Sequence, residues 1–183
     1  MTVRVDARRN RDLLLAAARE AFETHGTDAS LRDIARQAGV GIGTLYRHFP
    51  TREALLEALL ASRFDALRDR AEELSATAAP GEALLGWLGE LAAGSVTVRG
   101  LPESVMAALR DEESELHASC AGMRAAGGQL LQRAQEAGEV RADVTAAQVL
   151  ALAAGLAWAG EQSADPAGTV RQLLLIAGRG LVS

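Results

Sequence analysis

An all-α fold is predicted, and three observations predict it. The chain is 49% hydrophobic but only 3% aromatic. Alanine and leucine dominate, and β-branched runs are scarce, so helix formers outnumber strand formers. Apolar residues recur at three- and four-residue spacing in one stretch after another. Glycines, prolines and small polar residues stand where helices start and stop. At 183 residues the chain fits one domain or two small ones and can bury a core.

The first helix is predicted from Arg8 to His25, with Leu14, Ala17, Ala18, Ala21 and Phe22 as one apolar stripe and Gly26 as its stop. Ser30 caps a short second helix, Leu31 to Ala38, with Asp33 in a capping-box-like position. Its inward residues are Leu31, Ile34, Ala35 and Ala38, and Gly39 ends it. A third short helix runs from Ile42 to Phe49 and is closed by Pro50. Thr51 caps the fourth, which carries Glu53 in its first turn and a stripe of Leu56, Leu60, Phe64 and Leu67 out to Leu74. After the Pro80-Gly81 break, helices are expected over 82–98, 102–110, 114–137, 145–162 and 166–181. Thr145 with Gln148 reads as a capping box, and Asp165 before Pro166 as a cap followed by a first-turn proline. No repeat, low-complexity tract or strand is evident.

The charge is uneven. Residues 1–52 hold nine arginines against six acids, whereas residues 53–183 hold ten against eighteen, and the whole chain is at −5. The basic N-terminal segment on an acidic body is the asymmetry to explain. All 19 basic residues are arginine, which reads first as codon bias. One cysteine, Cys120, leaves no internal disulfide or cysteine-based zinc site and suits a reducing cytoplasm. The N-terminus lacks the apolar core of a signal peptide. The longest apolar run, 146–160, interrupted only by Gln148, is shorter than the ~20 residues that span a bilayer. No cofactor, metal or membrane partner is expected, and neither a metal-spaced pair nor a nucleophile elbow supports an enzyme. A helical protein-interaction module is the other alternative.

The stretch GVGIGTLYRHFP, residues 39–50, concentrates the unusual chemistry: the only tyrosine, followed directly by Arg47, His48 and Phe49, behind three glycines. A helix of about eight residues, a Gly-Val turn and a second short helix make a helix-turn-helix layout. Its second helix must enter the major groove, so its outer residues must be small, as Gly41, Gly43 and Thr44 are. Tyr46 and His48 suit phosphate oxygens, and Arg47 either neutralises a phosphate or reads a guanine edge. Val40, Leu45, Phe49 and Ile34 fix the angle between the helices.

With that stretch, TDASLRDIARQAGVGIGTLYRHFPTREALLEALL at 27–60 closely resembles the TetR family of transcriptional regulators. The resemblance implies a three-helix DNA-binding domain, here residues 1–52, and a helical ligand-binding and dimerisation domain, residues 53–183. By position it implies backbone contacts from Thr27, Thr44, Tyr46, His48 and Arg52, and a groove-facing set of Gly41, Ile42, Gly43 and Arg47. Gly41 stands where many members have serine, so one hydroxyl contact is missing. Arg52 replaces the usual lysine and should still hold a phosphate. The segment from Trp87 through 99–101 to 137–145 looks like the SbtR-like C-terminal variant. The implied function is a ligand-responsive regulator, a repressor released from double-stranded operator DNA by a small molecule.

In the body the resemblance implies a pocket, and the residues unlike their neighbours are its candidates: Trp87, Met106, Arg110, His117, Cys120, Met123, Arg124 and Trp158. Gly122, Gly127 and Gly128 would weaken their helix and bend it around such a pocket. For a homodimer, the last two helices offer Leu152, Gly155, Leu156, Val170, Leu173, Leu174, Ala177 and Leu181. The alternative is that these helices complete the monomer's core.

Overall fold

The computed structural model describes residues 2–93 and 101–181, with side chains described for 6–93 and 101–178. Among these residues the structure is helical and has no strand. The helices are α1 (Thr2–His25), α2 (Leu31–Gln37), α3 (Ile42–His48), α4 (Arg52–Thr77), α5 (Pro80–Ala93), α6 (Glu103–Arg110), α7 (Glu115–Glu136), α8 (Ala146–Glu161) and α9 (Pro166–Leu181). A 3-10 turn, Gly26–Asp28, follows α1. The expected helices are all present, with ends shifted by a few residues. α1 begins six residues before the expected Arg8, because its apolar stripe starts later than the helix does. The stretch expected to continue α5 to Val98 lies, beyond Ala93, outside the described residues.

The chain divides into two compact units, Met1–Ser62 with Thr97–Ala118, and Arg63–Val96 with Ser119–Ser183. The first is built on α1, α2 and α3. Leu14, Ala18 and Phe22 of α1 are buried with Ile34 and Ala35 of α2 and Leu45 of α3. Each large side chain among them contributes roughly 1.5–3 kcal/mol by leaving water. Ser30 caps α2, its hydroxyl accepting from the Asp33 amide at 3.3 Å. α2 ends in a Schellman closure: Val40 N–H donates to the Ala35 carbonyl and Gly39 N–H to that of Arg36. This needs a left-handed residue after the helix, and Gly39 supplies it at φ +70°.

In the second unit α5 lies at the centre of a core with α7, α8 and the later part of α4. Leu67, Leu84, Leu88, Met123, Leu130, Val149, Leu156 and Val170 surround the fully buried Trp87. The Trp87 indole N–H donates to the Leu67 carbonyl at 2.8 Å, so its one polar atom is satisfied. The ring lies over Gly127 of α7, where an added Cβ would sit 2.4 Å from Cη2. Gly127 thus makes room for the indole. Thr145 and Gln148 form the expected capping box at the start of α8. At the start of α9 the Asp165 carboxylate accepts from the Gly168 amide at 3.0 Å. α8 and α9 approach closely at Gly160, where a Cβ would meet Val170 Cγ2 at 2.8 Å.

Candidate nucleic-acid interface and effector site

α3 has one inward and one outward face. Leu45 and Phe49, four residues apart, are buried. The Arg11 guanidinium of α1 lies over the Phe49 ring, 5.7 Å from its centroid, a cation–π contact that helps hold α3 against α1. Gly41, Gly43, Tyr46 and Arg47 are exposed, and Ile42, Thr44 and His48 are half-buried. Tyr46, at 49% exposure, is one of the few large residues the unit leaves in solvent. Arg47 has no ion pair among the described residues. Gly41 caps α3 with ordinary backbone angles, φ −71° and ψ 150°. A Cβ on Gly41 or on Gly43 would meet nothing within 4 Å. Unlike Gly39, then, neither glycine is required by the chain's own fold.

Two of the implied backbone-contact residues are tied to each other. Arg52 is half-buried, and its Nη1 donates to the carbonyls of Thr27 and Ala29 at 2.7 and 2.6 Å. It braces the segment between the 3-10 turn and α2 against the start of α4. The sequence offered an arginine after a threonine cap but did not show which acceptors lay within reach.

The ligand candidates separate. Met106, Arg110 and His117 lie in the first unit. Arg110 is exposed and pairs with Glu103 at 2.5 Å. His117 donates from Nδ1 to the Leu109 carbonyl at 2.9 Å, which fastens the start of α7 to the end of α6. In the second unit Trp87 is inside the core and Trp158 is 63% exposed. Met123 and Arg124 line a cavity of about 370 Å³ with Leu91, Ala147, Leu150, Ala151 and Ala154. Cys120, one turn before Arg124, packs half-buried against the core. Burial pushes its thiol up from the ordinary value, and the Arg124 charge opposes that shift. The sequence reading missed the alanines of this wall. Their signal was the spacing of 147, 151 and 154, which puts them on one face of α8.

The dimer candidates also divide. Leu156 and Val170 are buried in the unit's own core, Leu152, Leu173, Leu174 and Ala177 are half-buried, and Gly155 is exposed. Leu181 lies outside the residues whose side chains are described. Three other large apolar residues of α8 and α9 stand in solvent: Trp158 at 63%, Leu175 at 63% and Ile176 at 68%. No described helix is long and apolar enough to cross a membrane. No group of three or more His, Cys, Asp or Glu among the described residues is arranged to hold a metal.

A helix-turn-helix carried on a larger helical body defines a DNA-binding transcriptional regulator rather than an enzyme, and the comparisons agree. Residues 14–59 match the bacterial regulatory proteins of the tetR family. Residues 79–183 match the C-terminal domain of SbtR-like transcriptional regulators. The chain belongs to the TetR family. A TetR regulator from Streptomyces coelicolor, SCO0520, superposes with a TM-score of 0.77 at 35% identity over 94% of this chain and 98% of that one. One from Mycobacterium vanbaalenii gives 0.72 at 32% identity over 99% of both. Among curated proteins, a Staphylococcus aureus regulator, SAR0097, is 36% identical over 76 residues, 40% of this chain and 39% of that protein. The repressor KstR2 of Mycolicibacterium smegmatis is 40% identical over 78 residues, 42% of this chain and 38% of that protein. The chain thus spans about two-fifths of the length of these curated relatives.

Proposed function

We propose that this regulator is a homodimeric repressor that a small molecule releases from its operator. Residues 1–52 carry the DNA contacts and residues 53–183 the effector and dimer contacts. The observation that carries the DNA reading is the outer face of α3. Glycine inside a helix costs about 1 kcal/mol relative to alanine, and α3 has only seven residues. Gly43 has open space around it and no packing reason within the chain. Close approach of a duplex supplies the reason, because a Cβ there would press on the groove. Tyr46 and His48 then position the helix on phosphates, and Arg47 is free to reach a phosphate or a base. Arg52 acts by holding the Thr27 segment rather than by reaching the duplex itself.

The dimer is supported by Trp158, Leu175 and Ile176, three large apolar side chains exposed on the last two helices, and by the open space at Gly155 of α8. Two half-sites bound together raise affinity without new contacts. The effector reading rests on the cavity lined by α5, α7 and α8. α4 is one continuous helix that takes part in both units, and it is the route by which effector binding would be felt at the DNA. Coupling of this kind is typically about 1–3 kcal/mol. Repression is supported by the M. smegmatis relative, which is named a repressor.

Gly43→Ala tests the central point. The variant should fold at least as stably as the parent, by up to about 1 kcal/mol. In band shifts on the DNA flanking its own gene, it should bind more weakly by about 1–3 kcal/mol per half-site, from overpacking against the groove. Undiminished binding by a well-folded Gly43→Ala would place the duplex somewhere other than α3.

A further inference from the structure

The cavity between α5, α7 and α8 is apolar with one exception. Leu91, Met123, Leu150 and the alanines at 147, 151 and 154 form its walls, and Arg124 is the one charged residue on them. The other arginines of the same unit between 63 and 141 are engaged. Arg63 donates to the carbonyls of Glu90 and Leu91 at 3.4 and 3.3 Å. Arg68 pairs with Asp65 and Asp69, Arg70 with Glu73 and Glu90, and Arg141 with Asp143. Arg133 holds the Ser75 carbonyl and hydroxyl. Arg124 has no carboxylate or carbonyl partner among the described residues, although the body as a whole is acidic. Among this unit's arginines from 63 to 141, Arg124 alone lacks such a partner among the described residues, and it stands beside an apolar concavity, an arrangement suited to a ligand's anion.

We propose that this cavity takes an amphipathic carboxylate, with the carboxylate on Arg124 and the apolar chain or ring along Leu91, Met123 and Leu150. The inference rests on the reading of this cavity as the effector site and specifies its ligand class. The planar fork of Arg124 matches two carboxylate oxygens at once. Met123, buried and unbranched, adapts to tails of different shape. A volume of about 370 Å³ is at the small end of ligand sites, which run from about 300 to 1,000 Å³. It suits a medium-chain or single-ring acid rather than a large polycyclic one. An alcohol would offer the guanidinium a neutral acceptor but no countercharge, and an ammonium would be repelled by it.

The test keeps the tail and changes the head. Decanoate, 1-decanol and decylamine are titrated by calorimetry into the full-length protein and into Arg124→Ala and Arg124→Lys. Decanoate should bind the parent roughly tenfold or more tighter than decanol, the advantage of a charge-assisted pair on a partly open surface. Decylamine should bind most weakly. Arg124→Ala should lose that advantage with decanol binding unchanged, and Arg124→Lys should keep part of it. Equal binding of decanoate and decanol to the parent, decanoate binding that ignores Arg124→Ala, or no decanoate binding at all would each overturn the proposal. A parallel band shift separates this inference from the effector reading. If decanoate binds through Arg124 and the operator complex persists, the ligand class stands and the effector reading fails. If another class of molecule releases the DNA while decanoate does not bind, the reverse holds.

Discussion

Two adjacent glycines of α7 should respond to the same substitution with opposite signs. At Gly127 an ideal Cβ would stand 2.4, 2.6 and 3.3 Å from three carbons of the Trp87 ring. The favourable separation for such atoms is about 3.5–4.0 Å, so the ring or the helix must move by about 1 Å. The ring has little freedom, because it is fully buried and its N–H is bonded to the Leu67 carbonyl. Overpacking of this kind costs about 1–3 kcal/mol. If the indole tips, loss of its buried hydrogen bond adds about 1–3 kcal/mol. Against this, alanine gains about 1 kcal/mol over glycine in a helix, so Gly127→Ala should lose about 2 kcal/mol net. At Gly128 the Cβ would meet only the Ala146 Cβ, at an ordinary 3.9 Å, so Gly128→Ala should gain about 1 kcal/mol. For a chain of this length each kcal/mol moves Tm by about 2–4 °C. Thermal melts at one fixed protein concentration should therefore show Gly127→Ala about 4–8 °C lower and Gly128→Ala about 2–4 °C higher. A double-mutant cycle isolates the cause: in a Trp87→Leu background the Gly127→Ala penalty should vanish. Shifts of the same sign at the two glycines, or a penalty that survives Trp87→Leu, would refute the placement of the indole over Gly127.

Two further outcomes follow from the site geometry. Arg52→Ala should lower stability by about 1–2 kcal/mol, since the Thr27 and Ala29 carbonyls lose their shared donor; an unchanged melt with weakened DNA binding would make Arg52 a phosphate ligand instead. Gly155→Leu places its side chain in open space, so the fold should be untouched while the dimer weakens by about 1–3 kcal/mol; Trp158→Ser should do the same through lost apolar burial, and a sedimentation profile unchanged in both would move the interface elsewhere.

The local signals were the legible ones. Ser30, Gly39, Thr145 and Asp165 act through atoms a few residues away, so their spacing in the chain is already their geometry. Partners distant in sequence were not legible. Arg52 finds carbonyls more than twenty residues back, and Gly127 faces an indole forty residues away. The resemblance marked Arg52 as a phosphate contact and residue type marked Gly127 as a bend around a pocket, and neither signal named these partners.

α8 and α9 show a different difficulty, and it has a physical meaning. A helix whose hydrophobicity is one-sided declares which face is buried. α8 does not: Val149, Ala153, Leu156 and Ala157 point into the core, and Ala147, Ala151, Ala154 and Trp158 on the other side are as apolar. α9 repeats this, with Val170 inside and Leu175 and Ile176 outside. Hydropathy therefore could not assign Leu156 and Val170 to the core or Trp158 to the surface, and the two tryptophans looked alike as pocket candidates. Yet a surface helix that is apolar on its outer side is itself informative. Solvent gains nothing from Trp158, Leu175 and Ile176 at more than 60% exposure, and three such residues on neighbouring helices exceed the scatter of single exposed hydrophobics on a monomer. The feature that blurred the reading of α8 and α9 as core is the same one that supports their reading as the surface where two copies meet.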